Sequence, residues 1–361
     1  QIDNNELEID ALAEKIKEIK PVDQKAIEIA KKRWDSIAHP LHSLGLLEDA
    51  IVAIAGIQKT PQVVLNKKCV AAFCADNGVV AQGVTQSGQE VTAIVTENFC
   101  SGQTSVCAMA RAAGADVIPV DIGVARDVSG KGLRIHKIAY GTQDITKGPA
   151  MTREQAADAI LYGMQLVKDL KEEGYRLIAT GEMGIGNTTT SSAILSVLLD
   201  RPVVEMTGRG AGLSSEGLKR KISAIETAIQ INQPDPQDVL DVLHKVGGLD
   251  IAGLVGVFLG GARENIPIVI DGVISAAAAM TAKKLCPSAA DYWIAAHVSK
   301  EPAGKIVLDA LEKRPMLTCD MCLGEGTGAV AAFPILDIAN AVYSEMSTFS
   351  DIEMEAYQPL V

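Results

Sequence analysis

The sequence predicts an α/β protein: a largely parallel sheet with helices on both faces, in a Rossmann-like arrangement. Three observations carry this. Short β-branched apolar runs alternate with segments long enough for helices, the pattern of repeated strand–helix–strand units. The runs are apolar throughout, as in strands buried on both faces. A glycine-rich turn, Gly181–Asn187, joins one run to a helix, and ligands of such sheets bind at the carboxyl ends of strands.

Taken in order, residues 5–38 read as two amphipathic helices separated by Pro21. In the first, Leu7, Ile9, Leu12, Ile16 and Ile19 recur at roughly helical spacing between charged residues. A third helix is expected over Leu46–Ile57. Strands are expected at Cys69–Cys74, Asp116–Val120, Arg176–Ala179 and Pro267–Ile270. Helical segments are expected within Glu90–Ala113, Arg153–Glu173, Thr188–Leu199 and Ile274–Leu285.

Composition narrows the function classes. The 361 residues are 48% hydrophobic, enough for a large core, and carry a net charge of −12 with only 4% aromatic side chains. A nucleic-acid surface needs clustered cations and stacking rings, so no nucleic-acid partner is expected. Seven scattered cysteines form no disulfide framework. Cys319 and Cys322 lack a second pair for a zinc site and are read as reduced, lining the approach to Glu325. No metal is expected. The N-terminus lacks a secretory pattern and no stretch of 18 apolar residues occurs, which points to a cytoplasmic protein without a membrane partner.

The chemistry concentrates in two loops. In Gly181-Glu-Met-Gly-Ile-Gly-Asn-Thr-Thr-Thr190, glycines permit close approach of a ligand. Asn187 and the threonines can cap the following helix, whose first amides can hold a phosphate without a lysine. The second loop, Leu323-Gly-Glu-Gly-Thr-Gly328, has the same character. Its Glu325, flanked by glycines, can present a carboxylate into a cleft. Neighbouring Leu323 and Met321 suggest an apolar wall that would raise its pKa. A helix N-terminus beside Glu182 would favour its charged form.

Together with Ser43-Leu-Gly45, Ala75-Asp76, Gly78-Val-Val80, Gly141-Thr142, Ala150-Met-Thr152, Thr207-Gly-Arg-Gly210, Gly247-Gly-Leu-Asp-Ile-Ala252 and Ile270-Asp-Gly272, these loops resemble the nicotinate-nucleotide:dimethylbenzimidazole phosphoribosyltransferase family over almost the whole chain. The resemblance implies transfer of phosphoribose from nicotinate mononucleotide to a cobamide lower-ligand base. Nicotinate is released with inversion at the anomeric carbon, and no cofactor is used. It implies a helical small domain from residues 1–60 and about 335–361 around an α/β catalytic domain of 61–334, and a dimer.

Residue by residue, it implies Glu325 as the general base and Glu182 as a second active-site carboxylate. Gly184, Ile185, Gly186, Asn187, Thr188 and Thr189 would contact ribose and phosphate, with Lys221 against the phosphate. Gln89, Glu97, Met321 and Leu323 are the candidates for the acceptor pocket. Asp76 and Asp271 are expected to shape loops, and His297 to be a structural hydrogen-bonder.

Several positions depart from the family pattern: Leu41-His42, Asn77, Ile94-Val95, Ser214-Ser215 and Val298-Ser-Lys300. Fewer polar groups near the site leave a phenolic acceptor open beside dimethylbenzimidazole and related bases. They also leave open a role as one subunit of a paralogous heterodimer, inactive alone. A dinucleotide oxidoreductase is disfavoured, because no full GxGxxG follows an N-terminal strand.

Overall fold

The computed structural model describes residues 4–360. At its centre lie six strands: β1 (Lys68–Ala75), β2 (Ala115–Gly123), β3 (Arg134–Ile135), β4 (Leu177–Met183), β5 (Ile268–Ile270) and β6 (Trp293–Ala295). All pair in parallel, in the order β3-β2-β1-β4-β5-β6. This is the doubly wound order in which the chain reverses direction across the sheet between β1 and β4, and a crevice opens at their carboxyl ends. The four anticipated strands are present. The two edge strands, of two and three residues, are too short to leave a periodic signal.

The helices are α1 (Asn4–Lys17), α2 (Gln24–Ser36), α3 (Leu46–Gln58), α4 (Glu90–Ser101), α5 (Ser105–Ala113), α6 (Arg153–Glu172) and α7 (Asn187–Leu198) in the first half. They continue as α8 (Val203–Met206), α9 (Ser215–Asn232), α10 (Val239–Val246), α11 (Leu249–Glu264), α12 (Val273–Leu285), α13 (Ala303–Ala310) and α14 (Thr327–Glu345). Glu90–Ala113 divides in two at Gly102, which takes φ +75°, and Thr104 caps the restart by accepting from the Cys107 amide.

β1 is buried along its whole length, and its side chains alternate between two cores as a period of two requires. Cys69, Ala71 and Phe73 face a core shared with α6, α7 and α10–α12. Val70, Ala72 and Cys74 face one shared with α2, α3, α5 and α14. The run Ile251–Leu259, broken by glycines in sequence, lies inside α11, which is buried from Leu249 to Ala262. Its glycines permit contact with α6: a Cβ on Gly256 would stand 2.1 Å from the Ile160 carbonyl oxygen.

Segments from near the two ends of the chain meet. Arg33 of α2 donates to the Tyr343 and Met346 carbonyls at 2.8 and 2.7 Å, and Ile37 bridges Thr348. α14 runs through residues 334 and 335 without a break, with Pro334 inside it. Its start therefore belongs to the cleft loop and its end to the helices of the N-terminus. α1 packs elsewhere, on α6 and α11. Among the described residues no helix is long and apolar enough to cross a membrane.

Candidate active site

The two glycine loops, some 140 residues apart in sequence, are stacked on one another at the carboxyl end of β4. A Cβ on Gly181 would lie 2.5 Å from the Glu325 carbonyl oxygen, and one on Gly326 would lie 3.2 Å from the Gly181 Cα. The Glu325 amide donates to Glu182 Oε1 at 3.3 Å. Glycine is required at 184 as well, where a Cβ would meet Asp250 Oδ2 at 2.3 Å and the Ala75 carbonyl oxygen at 2.6 Å. The cleft above is lined from these loops, from Val84–Ser87, from Arg209–Ala211 and from the ends of β5 and β6.

Both loops run into helix N-termini, and tertiary contacts make them different. At the start of α14, Asp271 accepts from the Gly326 amide at 3.1 Å and the Ala329 amide at 3.0 Å. A carboxylate thus already occupies that positive end. At the start of α7, Gly186 is the N-cap with φ +94° and no side chain caps the helix. Asn187 was expected to cap it. Instead it is the first helical residue, and its Nδ2 donates to Glu182 Oε2 and, at 3.0 Å, to Asp250 Oδ2. Of the two loop helices it is α7 whose N-terminus stays open; α12, N-capped by Gly272 without a side chain, also begins at the cleft.

The cleft floor is acidic. Glu182 and Asp250 are buried, and neither has a cation within ion-pair distance among the described residues. Burial raises the Glu182 pKa to about 8, with Asp250 and Asp271 adding to it and hydrogen bonds from Asn187 and the Glu325 amide opposing. Burial outweighs the helix N-terminus that was expected to favour the charged form. Burial likewise raises Asp250 to about 7.

Glu325 stands at φ +64°, in the left-handed region that costs a non-glycine residue energy. Its pKa is raised, first by burial, against hydrogen bonds from the Val106 amide and Thr104. The Val106 amide reaches Oε1 at 3.2 Å, so the carboxylate rests at the start of α5. Met321 takes no part in the cleft wall; its carbonyl accepts from the Lys300 amide. Leu323 lines the mouth and is 57% exposed, so the apolar wall expected from these two residues is not what encloses Glu325.

Gly184, Ile185, Gly186, Asn187 and Thr188 line the cleft, whereas Thr189 is buried behind it. Lys221 lies one layer below. Its Nζ donates to Thr188 Oγ1 at 2.9 Å and to the Gly208 carbonyl at 2.8 Å. Burial lowers its pKa to about 8, against the nearby Glu301 carboxylate. Gln89 and Glu97 are not brought to the cleft lining. Gln89 is exposed before α4, and Glu97 pairs with Arg126 at 2.8 Å and accepts from the Ser129 amide. Cys322 lines the mouth, Cys319 is exposed, and both are free thiols.

Asp76 and Asp271 shape loops as anticipated; the Ala125 amide donates to Asp76 at 2.7 Å. Asp271 and His297 also line the cleft, with His297 Nε2 at 3.7 Å from Asp271 Oδ1. Sequence reasoning gave no role to Asp250, Arg209 or Glu301. For Asp250 the signal was present: a carboxylate inside the otherwise apolar run Leu249–Leu259 demands a reason, since buried charges are rare without a partner. Asn77, one of the departures from the family pattern, is buried behind the Gly184 turn, with Nδ2 3.4 Å from the Ile185 carbonyl.

A doubly wound sheet with a cleft at its switch point, lined by an open helix N-terminus and buried acids, has the architecture of an α/β enzyme. Comparison with known proteins specifies the kind. A family model described as phosphoribosyltransferase matches residues 19–354. The nicotinate-nucleotide–dimethylbenzimidazole phosphoribosyltransferase of Ruminiclostridium cellulolyticum is 48% identical over 96% of this chain and 99% of its own length. That of Acetivibrio thermocellus is 47% identical over 97% and 100%. A crystal structure of CobT from Thermus thermophilus superposes with a TM-score of 0.88 at 36% identity, covering 92% of this chain and 100% of that one. The chain belongs to the nicotinate-nucleotide:dimethylbenzimidazole phosphoribosyltransferase family, and is a pentosyltransferase.

Proposed function

We propose that the chain transfers phosphoribose from nicotinate mononucleotide to dimethylbenzimidazole or a closely related base, releasing nicotinate and forming an α-riboside 5′-phosphate. The observation that carries this reading is the uncapped α7 N-terminus, with Glu182 and Glu325 both lining the same cleft beside it. The 5′-phosphate sits at that N-terminus, where backbone amides and the helix dipole favour an anion. Lys221 holds Thr188 from below and adds positive charge.

The ribose then lies over Glu182, and its anomeric carbon gains positive charge as the bond to nicotinate breaks with its electron pair going to the pyridine nitrogen. A carboxylate below that carbon stabilises the charge. On the mouth side, Glu325 takes the proton that the acceptor loses as its nitrogen bonds to the anomeric carbon. A raised pKa suits a general base near neutral pH. The acceptor rests against Leu323, Val84 and Ser87. Asn77, buried away from these residues, gives no reason to change the acceptor class, so the benzimidazole reading is preferred to a phenolic one.

The relatives named for this activity match the chain over 99% and 100% of their own length, which supports activity without a paralogous partner. We take two identical copies as the working assembly. The test is nicotinate release and product mass with the purified chain, nicotinate mononucleotide and dimethylbenzimidazole. Glu325→Gln is expected to lose about 10²–10⁴-fold in kcat while still binding the nucleotide. A folded wild-type chain that releases no nicotinate, or a Glu325→Gln variant of full activity, would overturn the reading.

A further inference from the structure

We infer that Asp250, Asn187 and Glu182 form one unit that holds a single proton between two buried carboxylates and gives it up when a nucleotide with a positively charged pyridinium nitrogen enters the cleft. Asp250 would then be a positioning residue that acts on the substrate through Asn187 and Glu182. The inference rests on the proposed substrate, whose N-ribosylated pyridine ring is a cation.

The geometry is that of a shared site. One amide nitrogen, Asn187 Nδ2, donates to a carboxylate oxygen on each side. The remaining oxygens are also met by neutral donors. The Glu325 amide reaches Glu182 Oε1 at 3.3 Å, and the Ile251 amide reaches Asp250 Oδ1 at 3.0 Å. The charged groups that bear most on the pair are acids, Asp271 after β5 on Glu182 and Asp76 after β1 on Asp250; Glu325, Arg209 and His297 line the same cleft as Glu182. Two like charges in contact with one amide, away from water, cannot both ionise cheaply.

A separate observation points to where a proton fits. Asn77 Oδ1 is buried and has no hydrogen-bond donor. It and Asp250 Oδ1 share the space over Gly248, lying 2.6 and 2.7 Å from the point a Cβ would take there. A hydroxyl on Asp250 is the donor that this oxygen lacks.

Entry of the pyridinium ribotide supplies the missing positive charge beside Glu182. The ionised form is then favoured, and the O–H bond breaks with its proton passing to solvent buffer. The substrate's own charge would thus complete the negative charge of the pair beneath the ribose cation.

The experiment is titration calorimetry of the whole chain with nicotinate mononucleotide at pH 7 in two buffers of different ionisation enthalpy. Ribose 5-phosphate serves as the ligand with phosphate but no cation. The expected result is release of up to one proton per site with the nucleotide, in excess of that with ribose 5-phosphate. Asp250→Asn and, as a second variant, Glu182→Gln should each abolish the excess. Asp250→Asn should also move the acid limb of the kcat profile down by about one pH unit, because a neighbouring negative charge is gone. A merely structural Asp250 would lower activity without moving that limb.

Nucleotide binding with the same proton count as ribose 5-phosphate would overturn the inference and leave the transferase reading intact, as would an unchanged excess in both variants. No binding of nicotinate mononucleotide at all would instead remove the reading on which it rests.

Discussion

Glu182 couples the stability of the ligand-free protein to pH. Its pKa rises from 4.5 to about 8 on folding, chiefly through burial. The native state therefore binds the extra proton between those values, and stability falls as the pH climbs through that window. Lys221 acts higher up and with the opposite sign. Its pKa falls from 10.5 to about 8, so the native state binds fewer protons over that interval and gains stability as the pH rises across it. In thermal melts, Glu182→Gln should gain on wild type steadily from about pH 5 to about pH 8; a pH-independent difference would contradict this. Lys221→Met should weaken phosphate-bearing ligands by about 10–100-fold, the worth of a charged hydrogen bond, seen as a raised KM for the nucleotide. Thiol chemistry separates by exposure. Cys319 and Cys322 are exposed, whereas Cys69 and Cys74 are wholly buried, with burial pushing their thiols up. Intact mass after brief alkylation at neutral pH should show two fast adducts, and adducts at Cys69 and Cys74 only on unfolding.

At the scale of elements, glycine decides what can touch. α6 and α11 cross at Gly163 and Gly256, where a Cβ on the first would lie 2.2 Å from the Gly253 carbonyl oxygen. Gly256→Ala should therefore force the helices apart, costing about 1–3 kcal/mol and lowering the urea midpoint, although it touches no cleft residue. The glycines that break the apolar run in sequence thus hide a helix that depends on them. The two site loops teach a related lesson. Gly184-Ile-Gly186 and Gly324-Glu-Gly326 look alike as sequences, and both precede helices. Which N-terminus is free depends on Asp271, a residue of a third loop, that reaches only α14. Asn187 fails as a cap for a similar reason: two buried acids compete for its amide, and no local rule weighs them.

Across the whole molecule, α2, α3 and α14 together close one of the two cores. Leu336, Ala339 and Tyr343 of α14 are buried with Trp34, Ile51 and Ile54 of α2 and α3 and with Val70 of the central strand. A chain ending after residue 334 should consequently lose cooperative unfolding, since it strips the cover from one face of the sheet. Circular dichroism with a urea titration would check this, and a sharp two-state transition in the truncated chain would refute it.

The amino-acid sequence by itself determined the α/β class, four of the six strands, the two glycine loops and the two glutamates they carry. Each is written in a local pattern of spacing, turn chemistry or motif, and such patterns survive without neighbours. Tertiary structure alone decided that the loops stack, that α7 and not α14 offers its N-terminus, and that Glu97 turns to Arg126 outside the cleft. It also joined Asp250 to Glu182 through Asn187. These outcomes depend on which buried charge finds which donor after the sheet has brought distant segments together. Desolvation and hydrogen bonding between such segments act over a few ångströms in space and leave no period in the chain.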